Sequence, residues 1–117
     1  MTVKRLQNVY LTAPDMKRQR RFYEEVLGLK VKFADGDNWI QFDVGGQNLA
    51  LASDREAAPG AAGAVVVLEV ESIEAVLEKL SEEGLEVLAI RDMGSHGRTC
   101  AFRDPAGNVV QLFQRQA

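Results

Sequence analysis

The sequence contains very few of the residues on which most metal and nucleophile chemistry depends. Its 117 residues include one cysteine, Cys100, and one histidine, His96. A single cysteine excludes an intrachain disulfide and fits a reducing compartment. Its place in a predicted strand favours a small core residue. On an extended strand, Cys100 and His96 would lie about 13 Å apart. This distance is too long for proton transfer between the thiol and the imidazole.

Long apolar runs and excess positive charge are also missing. The longest mostly apolar stretch, residues 61–68, is too short to span a bilayer, and the N-terminus has no signal-peptide pattern. The net charge of −3 gives no reason to expect nucleic-acid binding. Apolar residues make up 46% of the chain and charged residues 26%, as in ordinary globular proteins. We therefore expect a cytoplasmic protein with neither a membrane nor a nucleic-acid partner.

The first half of the chain predicts one βαβββ unit. A strand over residues 3–12 is followed by Asp15, a residue type favoured at helix N-caps. Apolar residues then follow one helical stripe as far as Gly28, a natural C-terminal stop. Three strands follow, over residues 30–34, 38–44 and 48–52.

The second half repeats this plan. After a strand over residues 64–70, Ser72 is placed to cap a helix whose apolar residues fall at i, i+3, i+4 and i+7: Ile73, Val76, Leu77 and Leu80. Gly84 ends the helix, and strands follow over residues 86–90, 98–103 and 108–114. We expect one α+β domain over residues 1–117. It comprises module one (about 1–53), a linker rich in Ala, Gly, Pro and charge (about 54–62) and module two (about 63–117).

Two motifs resemble those of the vicinal-oxygen-chelate superfamily, which includes glyoxalase I, bleomycin-resistance proteins, fosfomycin-resistance enzymes and extradiol dioxygenases. The first is Phe22-Tyr23-Glu24-Glu25-Val26-Leu27-Gly28-Leu29, and the second is Phe102-Arg103-Asp104-Pro105-Ala106-Gly107-Asn108. Their order and spacing together are specific, although either alone is weak. The resemblance covers nearly the whole chain and implies two βαβββ modules that form a curved mixed sheet around a cleft.

The positions that bind metal in the metal-using members carry other residues here. The resemblance places them at Asn8, Val65 and Gln111, where the family usually has His, His and Glu. Valine has no donor atom, and neutral amides suit hard ions only within a larger set of oxygens. Zinc, iron, nickel and manganese sites use imidazole, thiolate or carboxylate. We therefore expect no metal, no other cofactor and no catalytic residue at the usual position.

Strand alternation predicts which side chains face the cleft. Ile40, Phe42 and Val44 suit the helix side, which leaves Trp39 and Gln41 on the opposite face. Trp39 is either a stacking platform for a ligand or a packing residue. The expected ligand-binding residues are Asn8, Tyr10, Trp39, Gln41, Val65, Val67, Glu69, His96, Gln111 and Phe113. Glu69 is equally well read as an exposed strand-end carboxylate, and His96 as an exposed loop residue.

The resulting cleft is apolar and aromatic with a few amides, which suits a small-molecule pocket. The chain resembles the metal-free bleomycin-resistance branch, whose members sequester antibiotic without changing it, usually as homodimers. The negative net charge is compatible with a cationic ligand, and an ordinary metabolite is an equal candidate. One alternative is a divergent lyase, isomerase or dioxygenase with a non-standard site, which would need either an unusual metal set or metal-free acid–base chemistry by Glu69 or His96. Another is a structural or partner-binding dimer.

Overall fold

The computed structural model describes residues 5–60 and 64–116, and their strands form two four-stranded sheets. The chain divides into two compact units, Met1–Ala61 and Ala62–Ala117. Each unit has the order strand, helix, three strands, so the predicted α+β fold with two βαβββ modules is confirmed. Residues 54–60, the described part of the predicted linker, contain neither helix nor strand. None of the described helices is long and apolar enough to cross a membrane.

Unit one contains a mixed sheet in the order β1-β4-β3-β2, with β1 parallel to β4 and the other pairs antiparallel. Its helix covers one face of this sheet, as shown by the Tyr23 and Phe42 rings, whose centroids lie 6.1 Å apart. The elements are β1 (Val9–Ala13), α1 (Met16–Arg21), a π-helical turn (Phe22–Val26), β2 (Lys30–Asp35), β3 (Trp39–Val44) and β4 (Gln47–Ser53).

Unit two repeats this topology with a sheet in the order β5-β8-β7-β6, in which β5 runs parallel to β8. Its core includes Ile73 and Leu80 of the helix and Val110 and Leu112 of β8, all fully buried. The elements are β5 (Val66–Glu69), α2 (Ile73–Glu82), β6 (Val87–Asp92), a 3₁₀ turn (Gly94–His96), β7 (Arg98–Arg103) and β8 (Val109–Gln114).

The predicted helix ends are confirmed by their hydrogen bonds. Asp15 accepts the backbone N–H of Arg18, and the Ser72 hydroxyl accepts that of Ala75. Both side chains thereby satisfy an N–H that has no partner within its helix. α2 closes with a Schellman motif in which the Leu85 N–H donates to the Leu80 carbonyl.

The first module differs from its prediction in two places. β1 begins at Val9 rather than at residue 3. At Gln7 the backbone carbonyl accepts a hydrogen bond from the Asn48 side-chain amide over 3.1 Å, in place of a backbone N–H of the neighbouring strand. Residues 3 and 4, the start of the predicted strand, lie outside the described residues. The first helix widens into a π turn closed by the Leu27 N–H bond to the Phe22 carbonyl.

The Asp-Pro-Ala-Gly-Asn motif is a turn between β7 and β8 built around a buried carboxylate. Asp104 is 3% exposed, and its side chain accepts the backbone N–H groups of Ala106 and Asn108, both over 2.9 Å. The Asn108 side-chain amide donates to the other carboxylate oxygen over 3.1 Å. The motif that carries the family resemblance therefore has a structural role, because these bonds stabilise the turn itself.

We predict that Asp104→Ala lowers the free energy of unfolding by about 2–4 kcal/mol, because buried donors lose a charged acceptor. Denaturant unfolding measures this change. Asp43→Ala is the matched control, because Asp43 is exposed and accepts only the Gly46 N–H in its turn; its cost should stay within about 1 kcal/mol. Equal costs for the two variants would contradict the role given to Asp104.

Candidate ligand-binding site

The sheet of unit one has a second face, opposite its helix, that carries the first group of predicted site residues. Tyr10 and Gln41 are both register partners of Ala50, on either side of β4. Thr12 and Trp39 flank Ala52 in the same way. Because partners in a β ladder project to the same side, these residues share one face. We call Tyr10, Trp39 and Gln41 on this face the aromatic cluster.

The aromatic cluster is held together by direct contacts. The rings of Tyr10 and Trp39 meet edge to face with centroids 5.3 Å apart, an arrangement favoured by their quadrupoles. The Trp39 indole Nε1–H donates to the Gln41 Oε1 over 3.1 Å. Gln41 is only 6% exposed, whereas both aromatic side chains are partly exposed. The cluster therefore combines an accessible aromatic surface with an amide of fixed orientation.

The segment after β4 folds back onto this cluster. The backbone N–H of Ala58 donates to the Tyr10 Oη over 2.8 Å. Ala58 and Thr12 also line an open hollow of about 530 Å³, together with Asp54, Arg55, Ala57, Pro59 and Gly60. Its volume lies in the range of small-molecule pockets, and Tyr10 connects it to the aromatic cluster.

The sheet of unit two carries the second group of predicted site residues on the face opposite α2. Val67 pairs with Gln111, and Glu69 pairs with Phe113, so these four share a face. Val65, one residue before β5, is 51% exposed, and Val67 is 55% exposed. This face therefore presents Val67 and Phe113 together with the Gln111 amide and the Glu69 carboxylate.

Charged groups at the end of this sheet are already paired. Arg115 Nε lies 3.1 Å from the Glu69 carboxylate, and its guanidinium lies 5.8 Å from the Phe113 ring centroid. Arg98 pairs with Glu74 and donates to the Gln114 Oε1. The hydrogen bond from Arg98 lowers the pKa of the Glu74 carboxyl. These groups border a hollow of about 310 Å³ lined by Asp92, Gly94, Gly97, Arg98, Gln114, Arg115 and Gln116.

The histidine and the cysteine have different environments. His96 is exposed in the 3₁₀ turn before β7, whereas Cys100 is fully buried in the core of unit two. Burial raises the pKa of the Cys100 thiol and so disfavours the thiolate. Cys100 is therefore the small core residue that the sequence predicted.

The structure brings the predicted site residues together within each unit. Tyr10, Trp39 and Gln41 form one contact cluster, and the half-buried Asn8 lies just before the start of β1. The second group shares the face in unit two, whereas His96 lies in its turn. Sequence reasoning missed the contacts made by Ala58 and Arg115, because both lie outside any periodic segment.

Comparison with known proteins places the chain in a family. Residues 5–112 match the Glyoxalase/Bleomycin resistance protein/Dioxygenase superfamily. The chain belongs to this superfamily. No curated protein shows a significant match to it.

Solved structures of several proteins share the fold at low sequence identity. The lactoylglutathione lyase from Agrobacterium tumefaciens is 20% identical with a TM-score of 0.77, over 97% of this chain and 96% of that one. The fosfomycin resistance protein FosX from Listeria monocytogenes, solved with Mn(II) and a dihydroxypropylphosphonic acid, is 14% identical with a TM-score of 0.78, over 97% and 92%. A virulence protein from Salmonella typhimurium is 26% identical with a TM-score of 0.69, over 99% and 100%.

The residues of this chain do not fit the metal used by some superfamily members. The corresponding positions carry two neutral amides and Val65, which offers no donor atom. Within residues 5–60 and 64–116, no three His, Cys, Asp or Glu side chains come together in a group that could hold a metal ion. The donor chemistry therefore disagrees with a transition-metal centre.

The turn that carries His96 has a strict requirement at Gly97. A Cβ at this position would lie 2.3 Å from the Gln114 carbonyl oxygen and 3.1 Å from the Phe113 ring, and its φ is +94°. We predict that Gly97→Ala lowers the free energy of unfolding by about 3 kcal/mol or more, from backbone strain and steric clash. Denaturant unfolding checks this value.

Gly94→Ala is the matched control in the same turn. Gly94 has a φ of +63°, but a Cβ there would meet nothing within 4 Å. Its cost should be only the left-handed backbone strain, about 1–2 kcal/mol. If both variants lost the same amount, the close approach to β8 would not be what requires Gly97.

Proposed function

We propose that this chain binds a planar small molecule at the aromatic cluster, without metal chemistry at the positions that other superfamily members use. The observation that carries the proposal is the contact set of Tyr10, Trp39 and Gln41. A partly exposed indole and phenol offer a large apolar contact surface, and the amide adds an orienting group. The adjoining hollow of about 530 Å³ provides room for the rest of a ligand.

The proposal assigns binding rather than catalysis because the candidate acid–base groups are poorly placed. Glu69, the main carboxylate of the enzymatic alternative, lies 3.1 Å from Arg115 and is half exposed. Its carboxylate is already engaged by the Arg115 guanidinium at the surface. His96 is exposed in its turn.

The bleomycin-resistance branch offers the nearest functional parallel. Its members sequester a drug without altering it, and we propose the same mode of action here, with either an antibiotic or a metabolite as ligand. We also propose a homodimer. Its support is the set of large apolar side chains that are half exposed or more among the described residues of this single chain: Leu6, Phe33, Val65, Val67 and Ile90. Burying such side chains in an interface is favourable.

We predict that Trp39→Ala weakens ligand binding about tenfold or more, because it removes the stacking surface. Compounds from a panel of cationic glycopeptides, aromatic antibiotics and thiol adducts are first selected by the thermal shift they give with the parent chain. A ligand at 100 times its Kd adds about 2.7 kcal/mol of stability. Titration of the selected compounds then compares the variants, and light scattering on the same samples reports the oligomeric state.

The control is Leu88→Ala, which truncates a 39% exposed apolar residue in the other unit and should leave the affinity within about twofold. Equal binding by Trp39→Ala and the parent would remove the aromatic cluster as the site. A panel that gave no shift at all would instead favour the structural or partner-binding dimer.

We predict that neither the parent chain nor Gln111→Glu binds a divalent transition metal stoichiometrically. One restored carboxylate remains short of the three or four ligands that a protein site needs. Metal analysis of the purified protein, with thermal titrations of zinc and manganese against a chelator control, tests this expectation. Gln116→Glu serves as a charge-matched control at an exposed position. Saturable stabilisation of the parent by either metal would overturn the metal-free proposal.

A further inference from the structure

The orientation of the Gln41 amide follows from the chemistry of its partner. An indole Nε1–H can only donate, so the amide group facing Trp39 must be the carbonyl oxygen. The Nε2 group therefore points away from Trp39. It has no hydrogen-bond partner among the residues that the structure describes, and it is not one of their fully enclosed polar atoms.

Gln41 is thus a side chain more than nine-tenths buried that keeps a free donor at the surface of the aromatic cluster. Such a group is costly to leave without a partner when a ligand excludes water from it. A ligand that covers the cluster must then place a hydrogen-bond acceptor at Nε2.

Tyr10 supplies a second donor on the same face. Its Oη already accepts the Ala58 N–H, and no acceptor for its own hydroxyl hydrogen occurs within residues 5–60 and 64–116. Tyr10 and Gln41 flank Ala50, so their backbones lie about 10 Å apart across two strand spacings. Two donors therefore flank the indole, whereas Gln41 Oε1 and Tyr10 Oη are already engaged as acceptors by the Trp39 Nε1–H and the Ala58 N–H.

We propose that the ligand is a planar aromatic molecule that presents hydrogen-bond acceptors, such as carbonyl or carboxylate oxygens, to Gln41 and Tyr10. A ligand whose only polar group is an ammonium would leave the Gln41 donor unpaired, so we expect it to bind more weakly than an acceptor of the same shape. The inference rests on the proposed function, since it concerns the same cluster. It narrows the ligand class beyond what the net charge of −3 indicates, because charge spread over the chain does not determine the hydrogen-bonding pattern of one site.

The test uses four matched probes on one ring system: 2-naphthoate, its methyl ester, 2-naphthylmethylammonium and 2-methylnaphthalene. Trp39 is the only tryptophan, so the chain has one indole N–H signal in a ¹H–¹⁵N spectrum, which reports directly on the cluster. We expect the ester and the carboxylate to shift this signal saturably. The ammonium and methyl compounds should bind at least about fivefold more weakly, as the loss of one hydrogen bond implies.

Gln41→Glu reverses the polarity of the site with little change in shape. A carboxylate still accepts the Trp39 N–H but has no donor to offer. We expect the affinity for naphthoate to fall about tenfold or more and the affinity for the ammonium probe to rise. Gln47→Glu, exposed on the neighbouring strand, makes the same charge change and should alter both affinities less than twofold. Gln41→Leu should abolish the preference for the ester over methylnaphthalene, even if the glutamate variant fails to fold.

The outcomes separate the two proposals. If the ammonium or methyl probe binds the parent as tightly as the ester does, the donor assignment is wrong, although binding at the aromatic cluster stands. The same holds if Gln41→Glu leaves the order of affinities unchanged. If none of the four probes moves the Trp39 signal, the aromatic cluster is not a binding site and both proposals fall.

Discussion

Every assignment of a side chain to a face depends on the parallel pairing of the first and last strands in each unit. β1 pairs with β4 from Val9 opposite Leu49 to Ala13 opposite Ser53. A slip of one residue would turn Tyr10 toward the helix and expose Leu11 in its place. A parallel pair also needs a crossover connection, and the segment with the helix and two strands provides it. The crossover that places the helix on one face of the sheet is therefore the same connection that allows β1 and β4 to pair in parallel.

The alternation of residue size along β4 makes the aromatic cluster possible. Leu49 and Leu51 point to the helix side and are buried in the core, whereas Ala50 and Ala52 occupy the other face. Tyr10 and Trp39 stand on the strands that flank these alanines. With small side chains between them, the two rings can meet across β4 at 5.3 Å. Larger residues at the alanine positions would separate the rings. The contact between the rings therefore depends on the small side chains of Ala50 and Ala52.

Local patterns in the sequence predict most of the fold, because the forces that set them are local. Asp15 and Ser72 cap their helices as predicted, and strand alternation correctly separates Trp39 and Gln41 from Ile40 and Phe42. The contacts that complete the site are non-local. Tyr10 receives its hydrogen bond from Ala58, 48 residues away, and Glu69 meets Arg115 across 46 residues. Nothing in the residues around Ala58 or Arg115 encodes such a contact, since both lie in irregular segments.

The closing motif also shows why family membership says little about chemistry here. The Asp104 carboxylate accepts the N–H groups of Ala106 and Asn108 and the Asn108 side-chain amide, which stabilise the turn locally. Gln111 pairs with Val67 and Ala101 on the face opposite α2, whereas its neighbours Val110 and Leu112 fill the core. A change from carboxylate to amide at residue 111 therefore disturbs neither the turn nor the core. The turn stabilises the fold, and residue 111 can change independently because its side chain lies outside both the turn and the core.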